Sequence, residues 1–304
     1  MKSYCLKTHS LTNRKSLVNI KDFAKLPPPS GSFNTFIDSL PDILVGSDFK
    51  RLVDAIVKSV RNKRLFGASL GAHVIKCGLS LVIIDLMKRG VIRAIAMHGA
   101  TAIHDYEISL IGRTSEDVSE TIKTGKFGMV SETAEAFVKA SRNAVTTNTG
   151  LGQSLGKLII KERNRFASAS ILANAYRLGI PATVHVAIGT DTVHMHPSIS
   201  GADLGESSLT DFRIFAHTIC GLNKGVWLNI GSAVIMPEVF LKAVSIARNL
   251  GHKLDSFTAA NLDMIQHYRP RQNVTGRPAP IGINITGHHE IMLPLLRMAV
   301  LSRL

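Results

Sequence analysis

Cysteine is nearly absent: Cys5, Cys77 and Cys220 stand far apart in 304 residues. That excludes a disulfide framework and a thiolate metal site, and points to a reducing, cytoplasmic setting. Aromatic residues make up 6%, and Trp227 is the single tryptophan, too few for a base-stacking nucleic-acid platform. No apolar run reaches the ~20 residues that a membrane span requires. The longest, Gly78 to Met87, contains Asp85 and reads as a core helix. Acids are the scarce charge, 22 against 36 Lys and Arg, for a formal net of +14. The surplus is scattered through nearly every segment, which describes a basic surface rather than a dedicated polyanion tract. The first 21 residues hold no acid and are rich in Lys, Arg, Ser and Thr. They read as a basic arm. An organelle transit segment has the same composition, whereas the missing apolar stretch excludes a secretory signal.

What is present has a rhythm. Leu26-Pro27-Pro28-Pro29-Ser30-Gly31-Ser32 is a stiff linker that no helix or strand can cross. Residues 1–32 are therefore expected to form an arm and linker, and 33–304 one α/β domain. Phe49, Leu52, Val53, Ile56, Val57 and Val60 recur at helical spacing, predicting a helix over 47–62 capped by Ser47. Strands are predicted over 64–70, 92–97, 182–187, 225–230, 254–260 and 281–285. Helices are predicted over 78–89, 102–111, 166–178, 209–220, 237–249 and 289–302. Strand, helix, strand within ~35 residues is a βαβ unit, whose strands run parallel. The expected fold is a doubly wound, mostly parallel sheet with helices on both faces, a Rossmann-like arrangement.

In such sheets ligands bind beyond the carboxyl ends of the strands. The residues there are Gly71-Ala72-His73, His98-Gly99-Ala100-Thr101, Gly189-Thr190-Asp191, Asn229-Ile230-Gly231-Ser232, Asn261, and Asn284 to Gly287. Small residues admit a ligand to the backbone, and helix N-termini offer N–H donors to a pyrophosphate, so a dinucleotide suits the crevice. Ordinary strand-to-helix turns use the same residues, and no GxGxxG follows the first strand. His194-x-His196 is a candidate metal pair, with His98, His104, Asp105, His288 and His289 as further ligands. Metal-free sites also collect histidine. The charges of 114–120 and 206–211 read as solvated faces and helix caps.

From about Arg64 onward, the order of these segments resembles the deoxyhypusine synthase family. GAHVIKCG (71–78), AMHGATAIHDYEISL (96–110), Gly189-Thr190-Asp191, NIGSAVIMPEV (229–239) and Thr275-Gly276-Arg277-Pro278 carry the resemblance. It implies NAD bound between subunits of a homotetramer, spermidine as hydride donor, and a lysine that takes the aminobutyl group as an imine. That family keeps its lysine shortly after a Gly-Ala-Arg-Pro, whereas the last lysine here is Lys253, ahead of Thr275-Gly276-Arg277-Pro278. Its aspartate-rich run is replaced by Tyr268-Arg269-Pro270-Arg271-Gln272-Asn273, which has no acid. Glu238 stands where the family has its catalytic histidine, His104 at a substrate glutamate and His196 at a substrate aspartate.

The expectation is an NAD-binding enzyme of altered chemistry that is not itself a deoxyhypusine synthase. Its acid–base candidates are His104, Asp191, His196 and Glu238. NAD is expected at Gly71, Ala72, His73, Gly99, Ala100, Thr101, Asp105, Thr190, Asn229, Gly231 and Ser232. Arg269, Arg271 and Arg277 are the candidate grip on an anionic small molecule, with a homo-oligomer as the assembly. The alternatives are a non-catalytic nucleotide-binding or regulatory protein, a polyamine-modifying transferase, and a nucleic-acid binder driven by charge alone.

Overall fold

Uncharged runs such as FGASL and VWLNI are buried along their whole length, as strands covered on both faces must be. In the computed structural model, which describes residues 6–304, such runs form a six-stranded sheet. Cys5 lies outside the described residues.

The chain runs α1 (Phe33–Ser39), α2 (Leu44–Arg61), β1 (Phe66–Leu70), α3 (Ala72–Lys76), α4 (Ser80–Lys88), β2 (Ala94–His98) and α5 (Gly99–Ile111). Then come α6 (Val118–Thr121), α7 (Ser131–Thr147), α8 (Leu151–Lys161), α9 (Ile171–Leu178), β3 (Ala182–His185) and α10 (Gly201–Cys220). β4 (Val226–Ile230), α11 (Ile235–Asn249), β5 (Thr258–Asp263), α12 (Tyr268–Asn273), β6 (Ile281–Thr286) and α13 (His289–Leu301) complete it. Every pairing is parallel and the order is β3-β2-β1-β4-β5-β6. This is the doubly wound order, whose ligand crevice opens between β1 and β4.

Two apolar clusters cover the sheet. The smaller packs α10 and α11 onto β2, β4 and β5 around Trp227. The Trp227 ring lies between Phe215 (5.1 Å, edge-on) and Phe240 (5.9 Å, stacked), and its Nε1 donates to Ser69 Oγ at 2.9 Å. Gly67, its register partner, must be glycine, because a Cβ there would sit 2.2 Å from the indole. The larger cluster includes residues of α2, α4, α5, α8, α9 and α13.

Several predicted boundaries move. α2 starts at Leu44 rather than Ser47 and has no side-chain cap. Gly46 lets its first turn lie on the Pro41 carbonyl, 2.4 Å from where a Cβ would be. The helix predicted over 166–178 breaks at Ser170, whose hydroxyl accepts from Ala173 N to start α9. α10 begins eight residues before the predicted Leu209, at Gly201, capped by Ser200. The strand predicted over 254–260 is β5, over Thr258–Asp263. Asn261 is therefore inside the strand. It is satisfied there by a polar ladder, because Ser69, Asn229, Asn261 and Asn284 share one register across four strands. Asn229 Nδ2 donates to Asn261 Oδ1 at 2.7 Å, and Asn261 Nδ2 donates to Gln266 Oε1 at 2.7 Å.

Candidate functional site

The carboxyl ends of the strands collect polar atoms that the protein itself does not satisfy. Among the described residues six buried side-chain atoms lack a hydrogen-bond partner: His98 Nδ1, Asp191 Oδ2, His194 Nε2, Asn229 Oδ1, His289 Nδ1 and Asp211 Oδ1. All but the last belong to the carboxyl edge of the sheet and its following loops. Unpaired buried polar atoms cost free energy, and their concentration on one edge is what a ligand crevice looks like.

Asp191 anchors one half of that edge. It follows β3, is 5% exposed, and accepts from Ala100 N at the start of α5. Burial raises its pKa to about 6, with that N–H bond opposing. The N–H groups of Gly189 and Asp191 donate to His194 Nδ1 (3.1 and 3.3 Å). The His194 proton is thereby fixed on Nε2, 3.8 Å from Asp191 Oδ2. Gly99 exists for this carboxylate, because a Cβ there would lie 2.0 Å from Asp191 Oδ2. The N-terminus of α5, expected to receive a pyrophosphate, thus already holds an anion. Burial also lowers His98 to about 4, helped by His104, so it is neutral at physiological pH.

The other half lies at β1, β4 and β6. A Cβ on Gly71 would meet the Gly231 carbonyl at 2.0 Å, and one on Gly231 (φ +64°) would meet His289 Nε2 at 2.7 Å. These glycines allow backbone to pack on backbone; they do not report a bound ligand. His289 is buried, with Nε2 4.0 Å from Asp263 Oδ1. Burial lowers its pKa, partly opposed by Asp263.

Of the expected cofactor residues, several serve the fold. Asp105 is fully buried and accepts from Ser170 Oγ, Ile171 N and Leu172 N (2.6, 2.7 and 3.1 Å), which pins the start of α9. Burial raises it to about 6 against those bonds. Thr101 donates to the Leu70 carbonyl, and Ser232 Oγ accepts from Met236 N in the first turn of α11. His73 and Thr190 are exposed, and Thr190 donates to the Ala187 carbonyl.

Beside Asp191 opens a cavity of about 560 Å³ between α5, residues 113–130 and α7. Asp191, Glu107, Glu116 and Glu132 bring four carboxylates to it, against the cations Lys76 and Arg113, with His104 among them. A groove of about 610 Å³ between α7 and α8 is larger, but no strand-end residue lines it, and its charge is four cations, Lys139, Arg142, Lys157 and Lys161, against Glu162. The strand-end cavity is the better site, because it pairs concave shape with the unpartnered Asp191 Oδ2 at the carboxyl edge of the sheet, where ligands of such folds bind.

The structure thus brings His104 and Asp191 together and leaves the other acid–base candidates outside. Glu238 pairs with Lys242 on its own helix and ties α11 to α12 through Arg269 (3.4 Å) and Asn273 (2.7 Å). The Lys242 bond is the main reason its pKa is lowered. His196 Nδ1 bonds to Ser198 Oγ at 2.6 Å and does not line the cavity. Arg277 bonds to Asn273 and Tyr268. None of Arg269, Arg271 and Arg277 lines the cavity.

The charges of 114–120, read as solvated faces and helix caps, are exposed, and Asp117 caps α6; Thr114, Ser115, Glu116 and Val118 also contribute to the cavity wall. Asp211, read the same way, is fully buried; it accepts from Gly152 N and Val184 N at 2.8 Å, and burial raises it to about 7. Glu116 and Glu132 lie in no motif, and Glu107 has no role assigned within the 96–110 segment. Only Glu107 has a sequence signal, three residues beyond His104 on one helical face.

No family model and no curated protein matches the chain. Solved structures do. A chain from Entamoeba histolytica assigned as a deoxyhypusine synthase has TM-score 0.52 at 10% identity, over 90% of this chain and 94% of its own. A chain from Methanococcus maripaludis S2 assigned to LOR/SDH has TM-score 0.54 at 16% identity, over 86% and 71%. AgrE in ternary complex with ornithine and NAD+ has TM-score 0.54 at 12% identity, over 84% of this chain. The chain spans 33% of that AgrE chain and 31% of ArgZ, an arginine dihydrolase from Cyanobacteria. At such identities the likeness is one of fold, and the fold is deoxyhypusine synthase-like.

Proposed function

We propose that the chain is an NAD-dependent enzyme acting on a small amine-bearing molecule held in the cavity beside Asp191. The observation that carries this is Asp191 itself, a cavity-lining carboxylate, buried, with one oxygen unpartnered at the end of a parallel strand. Dinucleotide binding is supported by the β1/β4 switch point and the unsatisfied Asn229 Oδ1 and His289 Nδ1 beside it. It is supported also by the NAD+ complex of AgrE, a structure of similar fold. When bound, NAD supplies a hydride acceptor.

The chain's own part is binding and proton handling. Four carboxylates against two cations favour a cationic group in the cavity, and a partly desolvated carboxylate holds an ammonium more strongly than one in water does. Asp191, held up to about 6, can orient an amine and take a proton from it near neutral pH. His104 is the second proton-handling group. An anionic substrate has less support, since Arg269 and Arg277 are engaged outside the cavity and Arg271 does not line it.

Calorimetric titration of NAD, NADH and NADP is the first test, with a saturable heat expected for at least one. Putrescine, spermidine and ornithine are then compared with small carboxylates and phosphates by thermal shift. Amines should stabilise the wild type, and Glu116→Gln and Glu132→Gln should weaken that by several-fold. Absence of any dinucleotide binding at millimolar concentration overturns the cofactor reading. Stabilisation by anions alone, lost in Arg269→Ala and Arg271→Ala, overturns the substrate reading.

A further inference from the structure

His104 shares its surroundings with two groups that no motif brings to notice. Its Nδ1 lies 2.6 Å from the Thr114 hydroxyl, and that hydroxyl donates to Glu107 Oε2. The other Glu107 oxygen accepts from Thr133 Oγ1 at 3.2 Å. Both His104 and Glu107 are largely shielded, their side chains 14% and 21% exposed, and both line the cavity with Thr114 and Thr133. Burial pushes Glu107 up, yet bonds from His104, Thr114 and Thr133 outweigh it and hold its carboxyl below the usual glutamate value. It is an anion, and so an acceptor only.

That fixes the protons in turn. A threonine hydroxyl has one hydrogen, and Thr114 gives it to Glu107. The contact with His104 can then be a hydrogen bond only if Nδ1–H is the donor. Neutral imidazole carries one N–H, so Nε2 is left with a lone pair. In water the other tautomer predominates.

We propose that Glu107, acting through the Thr114 hydroxyl, is the positioning residue that holds neutral His104 as its Nδ1–H tautomer and leaves Nε2 as a proton acceptor of the cavity. His104 Nε2 is then the base that takes a proton from a substrate nitrogen or carbon. The positive charge this creates on the ring is offset by the Glu107 carboxylate behind it, at 3.7 Å from Nδ1. The inference rests on reading this cavity as the reaction site. The tautomer, however, is measured without nucleotide or substrate, so its failure and a failure to bind NAD are separate results.

The full chain labelled with ¹⁵N-histidine reports each ring nitrogen through long-range ¹H–¹⁵N correlation, and His104→Asn assigns the signal. At about pH 8, where an ordinary histidine is neutral, wild-type His104 should show a protonated Nδ1 and an unprotonated Nε2. In Glu107→Met the Thr114 hydroxyl is released to donate to Nδ1, and the majority tautomer should switch to Nε2–H. Thr133→Val, which touches only the other Glu107 oxygen, should leave the signal unchanged. A wild-type His104 found as Nε2–H overturns the proposal even if Glu107→Met fails to fold. So does a Glu107→Met protein whose tautomer has not moved.

Discussion

Three aspartates show how little a residue's type says about its task. Asp105, Asp191 and Asp211 are all buried, and burial raises all three carboxyls. Asp105 spends both oxygens on Ser170 Oγ and the N–H groups that start α9, whereas Asp211 and Asp191 each keep one oxygen unpartnered. Asp211 holds Gly152 N and Val184 N with its other oxygen, and Asp191 alone of the three lines the strand-end cavity. Asp105→Ala should destabilise by about 3 kcal/mol or more, since it strands two backbone donors and a hydroxyl in the interior. Denaturant midpoints measure this, with NAD affinity as the control that should fall only through unfolding. Asp211 gives a pH signature. Its folded pKa of about 7 exceeds the ordinary aspartate value of 3.8, so the folded state holds an extra proton between those values. Its stabilising contribution is complete below about pH 4 and is lost as pH rises through 7. Asp211→Asn should therefore gain stability relative to wild type across that window and level off above it. His98 and His185, lowered to about 4 and about 3, oppose the trend in both proteins and cancel in the comparison. A constant difference from pH 4 to pH 8 excludes the assignment.

At the scale of elements, glycines divide by what their missing Cβ would meet. Gly71→Ala places a methyl 2.0 Å from the Gly231 carbonyl, between β1 and β4. Backbone there cannot yield easily, so a loss of about 1–3 kcal/mol or more is expected. Gly205→Ala, on the exposed part of α10 with nothing within 4 Å, should gain roughly 0.5–1 kcal/mol. Equal effects in chemical denaturation contradict this account. Arg269→Ala breaks an exposed pair between α12 and α11 and should cost under about 1 kcal/mol. The same division explains what is legible in the chain. Buried parallel strands announce themselves as short Val, Ile and Ala runs, so strand positions and strand-end turns follow closely. β5 is displaced in the reading because Asn261 looks like a terminator until Asn229 is seen beside it. The cavity is illegible for a related reason. Glu116 and Glu132 reach it from residues 113–130 and α7, where no periodicity says which way a charge will turn.

Taken whole, the molecule is a deoxyhypusine synthase-like sheet, and among its described residues no helix is long and apolar enough to cross a membrane. Assembly is a proposal drawn from resemblance. Light scattering should give two or four times 32.9 kDa, and a mass of one chain at micromolar concentration removes it. The lysine question is equally direct. No lysine follows Lys253, although Lys76 lines the cavity on α3. Borohydride reduction with spermidine and NAD should recover no aminobutyl-lysine. An adduct on Lys76 would show that the nucleophile has moved rather than vanished.

The pairing of β1 with β4 also governs how the chain comes to be folded. Phe66 finds its partner Val226 only after about half the polypeptide has passed between them. During synthesis, β1, β2 and β3 can associate first, but the open side of β1 then waits for a strand not yet made. Such non-local closure is slow, and an unpaired central edge invites intermolecular pairing. A nascent chain stopped shortly before β4 should accordingly be the most chaperone-dependent and aggregation-prone intermediate, and completion of β4 the moment at which protease resistance appears.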